Sequence, residues 1–333
     1  MSGFKALRIH RVEGGSEARF DTVTLEQLTP GEVVIRVAYS CLNFKDALAV
    51  TGKAPIVRGS VRTAGIDLCG VVESSSDSRV AQGERVLVTG SHIGESLDGG
   101  FSEFARVPVD AVVPLPAGLS LFDAMLLGTA GFTAAMAVWR MQENHQSPEH
   151  GPVAVTGPTG GVGSIALAIL KRAGFTTAAI TGKASAADYL RRLGADQILD
   201  RATLDFGSKP LEKALWGGAV DNLGGRTLTY LTRTVRPWGN IACIGLAESS
   251  ALETTVMPLI LRGVSLLGIH SVEVPRRLRL ALWQRLAAEW NVKDLNQRIV
   301  QGIVDLEGIP AACEQLVAGR ALGRYVVRLA GDL

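Results

Sequence analysis

The chain has 333 residues, more than one hydrophobic core comfortably serves, so two domains are expected. With 47% hydrophobic, 20% charged and only 5% aromatic residues, its composition is that of a globular α/β protein and excludes a disordered chain. A formal net charge of +2 gives no electrostatic case for nucleic acid or an acidic membrane as partner.

From Phe4 to Pro116 the pattern is one of short strands and turns, read as an all-β unit. Glu32–Ala38 alternates apolar and polar residues, and Gly70–Glu73, Arg85–Thr89 and Phe101–Val107 are further strands bounded by Gly, Ser or Asp. The texture changes near Leu119. Ser120 and Asp123 form a capping box before a helix starting at Leu121. Its weakly polar run Ala124–Val138 is shorter than the roughly 20 residues a membrane span needs, so a buried helix is expected. The loop Glu143–Gly151 is the expected mobile insertion.

From Gly151 onward strands and helices alternate. Strands are expected at Pro152–Thr156, Thr176–Thr181, Gln197–Leu199, Gly218–Asp221, Asn240–Ile244 and Ser265–Ile269, with helices at Val162–Ala173 and Ala186–Leu193. This spacing predicts βαβ units and a parallel sheet. An Arg-rich helix, Arg276–Trp290, precedes a βαβ-like tail ending in the strand Tyr325–Leu329. Cys41, Cys69, Cys243 and Cys313 show no CxxC spacing and read as reduced, mostly buried thiols of a cytoplasmic protein. Met1–Gly15 has no apolar stretch of the signal-peptide kind.

The sharpest local signal is the run Val153 to Gly163, an apolar strand passing through a glycine cluster into an apolar helix. Glycines let the backbone approach a pyrophosphate, and the helix start turns free N–H groups and its positive dipole end toward the anion. Gly160 and Gly163 fit the second and third positions of GxGxxG, whereas Pro158 stands at the first with Gly157 one residue earlier. Gly157, Thr159, Gly160, Gly161, Val162 and Gly163 are therefore the expected pyrophosphate residues. An NAD site places Asp or Glu at the end of the second strand. Here that strand ends Thr181-Gly182-Lys183, with no carboxylate. A 2′-phosphate finds Lys183 for charge, Thr181 and Ser185 for hydroxyls, and Tyr189 and Arg201 nearby, so NADPH is the expected cofactor.

Blocks along nearly the whole chain resemble the medium-chain dehydrogenase/reductase superfamily, and within it the zinc-free acrylyl-CoA reductase group also labelled YhdH/YhfP quinone oxidoreductases. The carriers are Leu42–Leu48, Thr51–Lys53, Gly65–Asp67, Gly128–Ala134, Thr159–Gly163, Pro210–Lys213, Thr254–Pro258 and Ile260–Val264. The resemblance implies a GroES-like β-barrel catalytic domain plus a Rossmann doubly wound parallel sheet, α/β overall. The barrel would span residues 1–122 and 272–333, the Rossmann domain residues 123–271, with the active site in the cleft between. It also implies a homodimer, for which Ser265–Ile269 is the nominated edge strand. The catalytic zinc ligands of related alcohol dehydrogenases would fall near Asn43, Ile66 and Thr129, none of them Cys or His, so no metal is expected.

The same resemblance implies reduction of an electron-poor alkene. Hydride goes to the β-carbon of an α,β-unsaturated thioester, and donors are placed near the developing enolate. Asn43 would donate its amide there or order the nicotinamide ribose. Thr129, Thr133, Ile244, Gly245 and Ser271 would approach the nicotinamide, and Arg324 a cofactor phosphate. Phe44 stands where many relatives carry Tyr and is read as a packing residue, which leaves Asp67 as the acidic candidate. The alternative reading of Asp67 is that it caps a turn or orients Lys45. The loop Ser91–Asp98 lacks a Trp common in relatives and is expected at the substrate mouth. Three functions follow in order: a reductase of acyl-CoA thioesters, acrylyl-CoA foremost; an NADPH:quinone oxidoreductase or small-enone reductase; and a non-catalytic NADPH-binding sensor. For the first, Arg58, Arg62, Arg276, Arg277 and Arg279 are candidates to meet CoA phosphates.

Overall fold

The structure, a computed structural model, describes residues 3–291 and 296–333. It divides into two compact units. The first comprises Met1–Thr129, Val272–Ala288 and Val300–Leu333; the second comprises Ala130–Ser271 and Glu289–Ile299.

In the first unit an antiparallel hairpin, Phe4–Val12 with Gly15–Val23, is joined by Val61–Thr63 into a three-stranded sheet. A seven-stranded sheet is organised around Val33–Cys41. Along one side that strand pairs with Asp67–Ser75. Along the other, Val33–Arg36 pairs with Phe104–Val107 and Tyr39–Cys41 with Arg324–Arg328. The alternation in Glu32–Ala38 understates its burial: Arg36 alone is exposed in Val33–Cys41. One cluster takes Val33, Ile35 and Val37 with Leu68, Val86 and Val88. A second takes Leu7, Ile9, Leu42, Ala47 and Phe101 with Ile309, Cys313 and Val327. The tail is a βαβ unit, since Val300–Val304 runs parallel to Arg324–Arg328 and the helix Ile309–Val317 lies between them in sequence.

The second unit is a six-stranded parallel sheet. Its order is Gln197–Asp200, Thr177–Thr181, Val153–Thr156, Gly218–Asp221, Asn240–Cys243, Ser265–Gly268. The winding reverses between Val153–Thr156 and Gly218–Asp221, which sets a crevice at the carboxyl ends of those two strands. The helix Gly225–Thr234 escapes the sequence pattern because Gly, Arg and Thr fill its first turns. Leu228 and Leu231 nonetheless bury against Ala219, Ile241 and Val264. Ser265–Gly268 is an edge strand, and Trp238, Ile260 and Leu261 of this unit are exposed.

The capping box forms: Asp123 N donates to Ser120 Oγ at 3.0 Å and Ser120 N to Asp123 Oδ2 at 3.2 Å. The helix Leu121–Glu143 has 23 residues, long and apolar enough by composition to cross a membrane. The length argument from Ala124–Val138 therefore gives way to burial, with 89% of its most apolar window inside the protein. The expected mobile loop Glu143–Gly151 is instead pinned. Buried Gln146 donates to Gly217 O at 3.0 Å and accepts from the backbone and side-chain nitrogens of Asn240, each at 3.0 Å.

Candidate functional site

The glycine turn lies at the point where the sheet reverses. Gly157 has φ 56°, open to glycine and strained for other residues. A Cβ on Gly163 would fall 2.4 Å from Gly157 O and 2.8 Å from Pro158 Cα, so only glycine lets the helix Gly161–Arg172 start this close to the strand. Its first intrahelical bond runs from Ser164 N to Gly160 O at 2.9 Å. The amides of Gly161, Val162 and Gly163 precede it and have no partner within the helix. At the neighbouring strand end, Asn222 donates from N to Thr156 Oγ1 at 2.9 Å and from Nδ2 to Thr156 O at 2.8 Å. Asn222 Oδ1 is buried with no protein partner, an acceptor suited to a ribose hydroxyl. Asp221 accepts from Thr156 Oγ1 at 2.7 Å and Gly224 N at 2.8 Å, and burial pushes its carboxyl up to about 6. Ile244 N donates to Asp221 O, and Gly245 packs so closely that a Cβ would lie 2.3 Å from Asn222 O. Open amides, glycine-only approaches and an orphaned acceptor in one crevice fit a dinucleotide.

Along the second strand, Thr181 is buried and its Oγ1 accepts from Lys183 N at 3.0 Å. Partial burial lowers the Lys183 ammonium below its ordinary value. Ser185 is exposed on the turn Ala184–Ala186. Arg201 Nη2 lies 3.7 Å from where a Cβ on Gly182 would be, and its Nη1 is 3.7 Å from Glu248 Oε2. Two cations thus flank the strand end where a ribose-binding carboxylate would otherwise stand. Tyr189 is not among them. It is buried, with its hydroxyl 2.8 Å from Ser164 Oγ, because it fills the space between two helices of this unit. Thr133 is buried as well.

In the first unit the acidic candidates converge on Asn43. Asp67 is fully buried, and its Oδ2 accepts from Asn43 Nδ2 at 2.8 Å, Thr129 N at 2.8 Å and Cys41 Sγ at 3.2 Å. Its Oδ1 accepts from Thr129 Oγ1 at 2.5 Å. Asp67 is thus a buried acceptor that anchors the helix where it restarts after Gly128. Lys45 pairs with Glu95 at 2.8 Å rather than with Asp67. Asp46, which the sequence reading did not single out, is equally buried. Its Oδ2 accepts from Asn43 N at 2.9 Å and Asn43 Nδ2 at 3.1 Å, and its Oδ1 from Ile66 N at 2.9 Å. Burial, with the Asp67 charge close by, pushes the Asp46 carboxyl up to about 7. The signal was present in the sequence, since Asn43 and Asp46 stand at capping-box spacing.

Two assignments change as a result. Both Asn43 Nδ2 hydrogens go to carboxylates, so the amide has no donor left for an enolate oxygen, and its Oδ1 is turned to Arg324 Nη1 at 3.1 Å and to the Asp46 backbone N–H. Arg324 cannot reach a phosphate. It is 2% exposed and donates to Leu126 O at 3.1 Å, Leu42 O at 2.8 Å, Asn43 Oδ1 at 3.1 Å and Cys41 Sγ at 2.8 Å. Gly128 closes over this cluster with φ 50° and ψ −153°, and a Cβ there would lie 2.6 Å from Cys41 Sγ and 2.7 Å from Asp67 Oδ2. Phe44 does not pack: half of it is exposed at the start of the helix Phe44–Val50. Among the arginines proposed for CoA, Arg62, Arg276 and Arg279 brace backbone carbonyls at Ser96, Val112 and Thr89. At the positions of the related zinc ligands, Asn43 and Thr129 are turned to Asp67 and Ile66 is apolar and buried. That donor set does not fit a metal.

The doubly wound sheet, with its glycine turn at the reversal point, defines a dinucleotide-dependent oxidoreductase. Residues 29–117 match the alcohol dehydrogenase GroES-like domain and residues 161–288 the zinc-binding dehydrogenase family. The acrylyl-CoA reductase AcuI of Ruegeria pomeroyi is 42% identical over 328 residues, covering 97% of this chain and 98% of the relative. YhfP of Bacillus subtilis, whose name gives quinone oxidoreductase as a provisional activity, is 44% identical over 327 residues, covering 98% and 99%. A solved structure of that Bacillus protein holds NAD. The crystal structure of the yhdH oxidoreductase of Salmonella enterica in complex with NADP is 41% identical, with a TM-score of 0.93 over 97% of this chain and 99% of that one. The chain belongs to the medium-chain dehydrogenase/reductase family, in the group that holds these acrylyl-CoA reductases and quinone oxidoreductases.

Proposed function

We propose that this protein reduces an activated carbon–carbon double bond with NADPH, and that its preferred substrate is a short α,β-unsaturated acyl-CoA such as acrylyl-CoA. The observation that carries NADPH over NADH is the strand end Thr181-Gly182-Lys183, whose own residues supply a lysine and no carboxylate, with Arg201 beside Gly182. The near full-length identity to the acrylyl-CoA reductase of Ruegeria pomeroyi supports the thioester. When bound, NADPH supplies a hydride to the β-carbon. The amides of Gly161, Val162 and Gly163 hold the pyrophosphate, Asn222 Oδ1 takes a ribose hydroxyl, and Lys183, Arg201 and Ser185 take the 2′-phosphate. The α-carbon receives its proton from water, because Phe44 has no hydroxyl and both oxygens of buried Asp67 already accept hydrogen bonds.

A second reading, quinone reduction, is favoured by the likeness to YhfP and by Phe44, since a reduced quinone takes its proton on oxygen from solvent and needs no donor positioned at a carbon. The test is NADPH oxidation with acrylyl-CoA, crotonyl-CoA and a para-quinone side by side, with NADH as control. Turnover on acrylyl-CoA, well above that on the quinone, is the expected result. Turnover on the quinone alone would replace the thioester reading. Tight NADPH binding without turnover on any of them would leave a sensor.

A further inference from the structure

Three observations meet at the Asn43 side chain. Its Nδ2 donates to Asp46 Oδ2 at 3.1 Å and to Asp67 Oδ2 at 2.8 Å, and its Oδ1 accepts from Arg324 Nη1 at 3.1 Å. The amide dipole therefore lies between two buried carboxylates at its nitrogen end and a buried guanidinium at its oxygen end. A flip of the carboxamide would point Oδ1 at both carboxylates and Nδ2 at Arg324, exchanging three favourable contacts for three repulsive ones. Asp67 alone does not secure this. Its Oδ2 is shared with Thr129 N and Cys41 Sγ, whereas Asp46 holds Asn43 twice, through backbone N and Nδ2, and is itself held by Ile66 N.

We propose that Asp46 is a positioning residue for the reaction: with Asp67 it holds both Nδ2 hydrogens of Asn43 and so locks the carboxamide in one orientation, its oxygen on Arg324. Protonation of Asp46 would place a donor where three donors already converge and so loosen the lock. Facing Asp46 are Asp67 and Cys41 from the strands, Cys313 from the helix Ile309–Val317, and the Arg324 guanidinium on the far side of Asn43. Arg279 adds its charge near Asp67.

The reaction arm of the test rests on the reductase reading, while the spectroscopic arm does not. In protein carrying isotope-labelled asparagine, the Asn43 side-chain amide signal, assigned by its loss in Asn43→Ala, is followed from pH 5.5 to 8.5. It is expected to shift with a midpoint near 7, the value to which burial raises Asp46, and to stay put in Asp46→Asn. A signal that does not move in the wild type overturns the proposal, whatever the protein reduces and whether or not the variant folds. In the reaction arm, Asp46→Asn is expected to lower kcat/KM about tenfold with Asn43 present and less than about twofold in the Asn43→Ala background. Equal losses in both backgrounds would make Asp46 a fold-stabilising residue only and sink the proposal. Absence of turnover in the wild type would count against the reductase reading and leave the amide titration to decide.

Discussion

Replacing Gly128 by alanine tests whether the buried cluster is as closely covered as the geometry says. The substitution meets two separate penalties. The backbone at φ 50° and ψ −153° lies in a region essentially reserved for glycine, at a cost of about 1–3 kcal/mol. The new methyl also falls 2.6 Å from Cys41 Sγ, 2.7 Å from Asp67 Oδ2 and 3.0 Å from Arg324 Nη2. All three neighbours are buried, and Cys41 is hydrogen-bonded to both Asp67 and Arg324, so none yields without breaking a contact, and overpacking adds about 1–3 kcal/mol. A total near 4 kcal/mol corresponds to a fall in Tm of roughly 8–16 °C for a unit of this size. Gly14→Ala is the control, because Gly14 has φ 82° and nothing within 4 Å of its Cβ position. It carries a positive-φ penalty without the overlap. Thermal melts of the two variants therefore separate the terms, and Gly128→Ala should fall well below Gly14→Ala. Equal melting temperatures would mean that the cluster does not pack against Gly128 and that the hydrogen bonds assigned to Asp67 are wrong.

Lys183→Ala should lower the preference for NADPH over NADH by about 10- to 100-fold, as expected for losing one partly desolvated cation from a phosphate; an unchanged preference in paired kcat/KM measurements would remove Lys183 from the site. Asp46 and Asp221 both have carboxyls raised by burial, to about 7 and about 6. For such groups the folded state binds the proton more tightly than the unfolded chain, so their stabilising contribution is full below pH ~4 and is lost as pH rises through those values. The Tm of the wild type should therefore decline between pH 5 and pH 8 more steeply than that of Asp221→Asn, and parallel slopes in a pH series of melts would show that Asp221 is not buried as an acid.

The parts of this protein that could be read from sequence are those whose partners are close in the chain. The glycine turn, the alternating strands and helices of the second unit and the Ser120–Asp123 cap each declare themselves within a dozen residues. Misreadings occur where the partner is remote. Arg324 looks like a phosphate ligand until Leu42 O, some 280 residues upstream, is seen to take one of its protons. Tyr189 looks available to a phosphate until Ser164 is seen beside its hydroxyl. Asn43 carries the right group for an oxyanion, but the neighbours that use up its donors include Asp67, 24 residues away on another strand. Periodicity also could not tell the pinned loop Glu143–Gly151 from a free one, since its anchors, Asn144 and buried Gln146, find their partners at Gly217, Asn240 and Ser265, far along the chain. Asp46 is the exception: its capping-box spacing from Asn43 is local, and what the spacing does not show is its burial beside Asp67.

The strand Arg324–Arg328 pairs with Val33–Cys41, and Arg324 braces Leu42 and Asn43. During synthesis every strand of the second unit, from Val153 to Gly268, leaves the ribosome before Arg324 does. The unit begun first is thus completed last, in contrast to the usual order in which domains fold from the amino end. Until residue 324 arrives, Asp46 and Asp67 lack the guanidinium that their final surroundings include, and the Tyr39–Cys41 part of the strand edge lacks its partner. For that interval the growing chain carries an open hydrogen-bonding edge, making this the stage at which capture by a chaperone matters most.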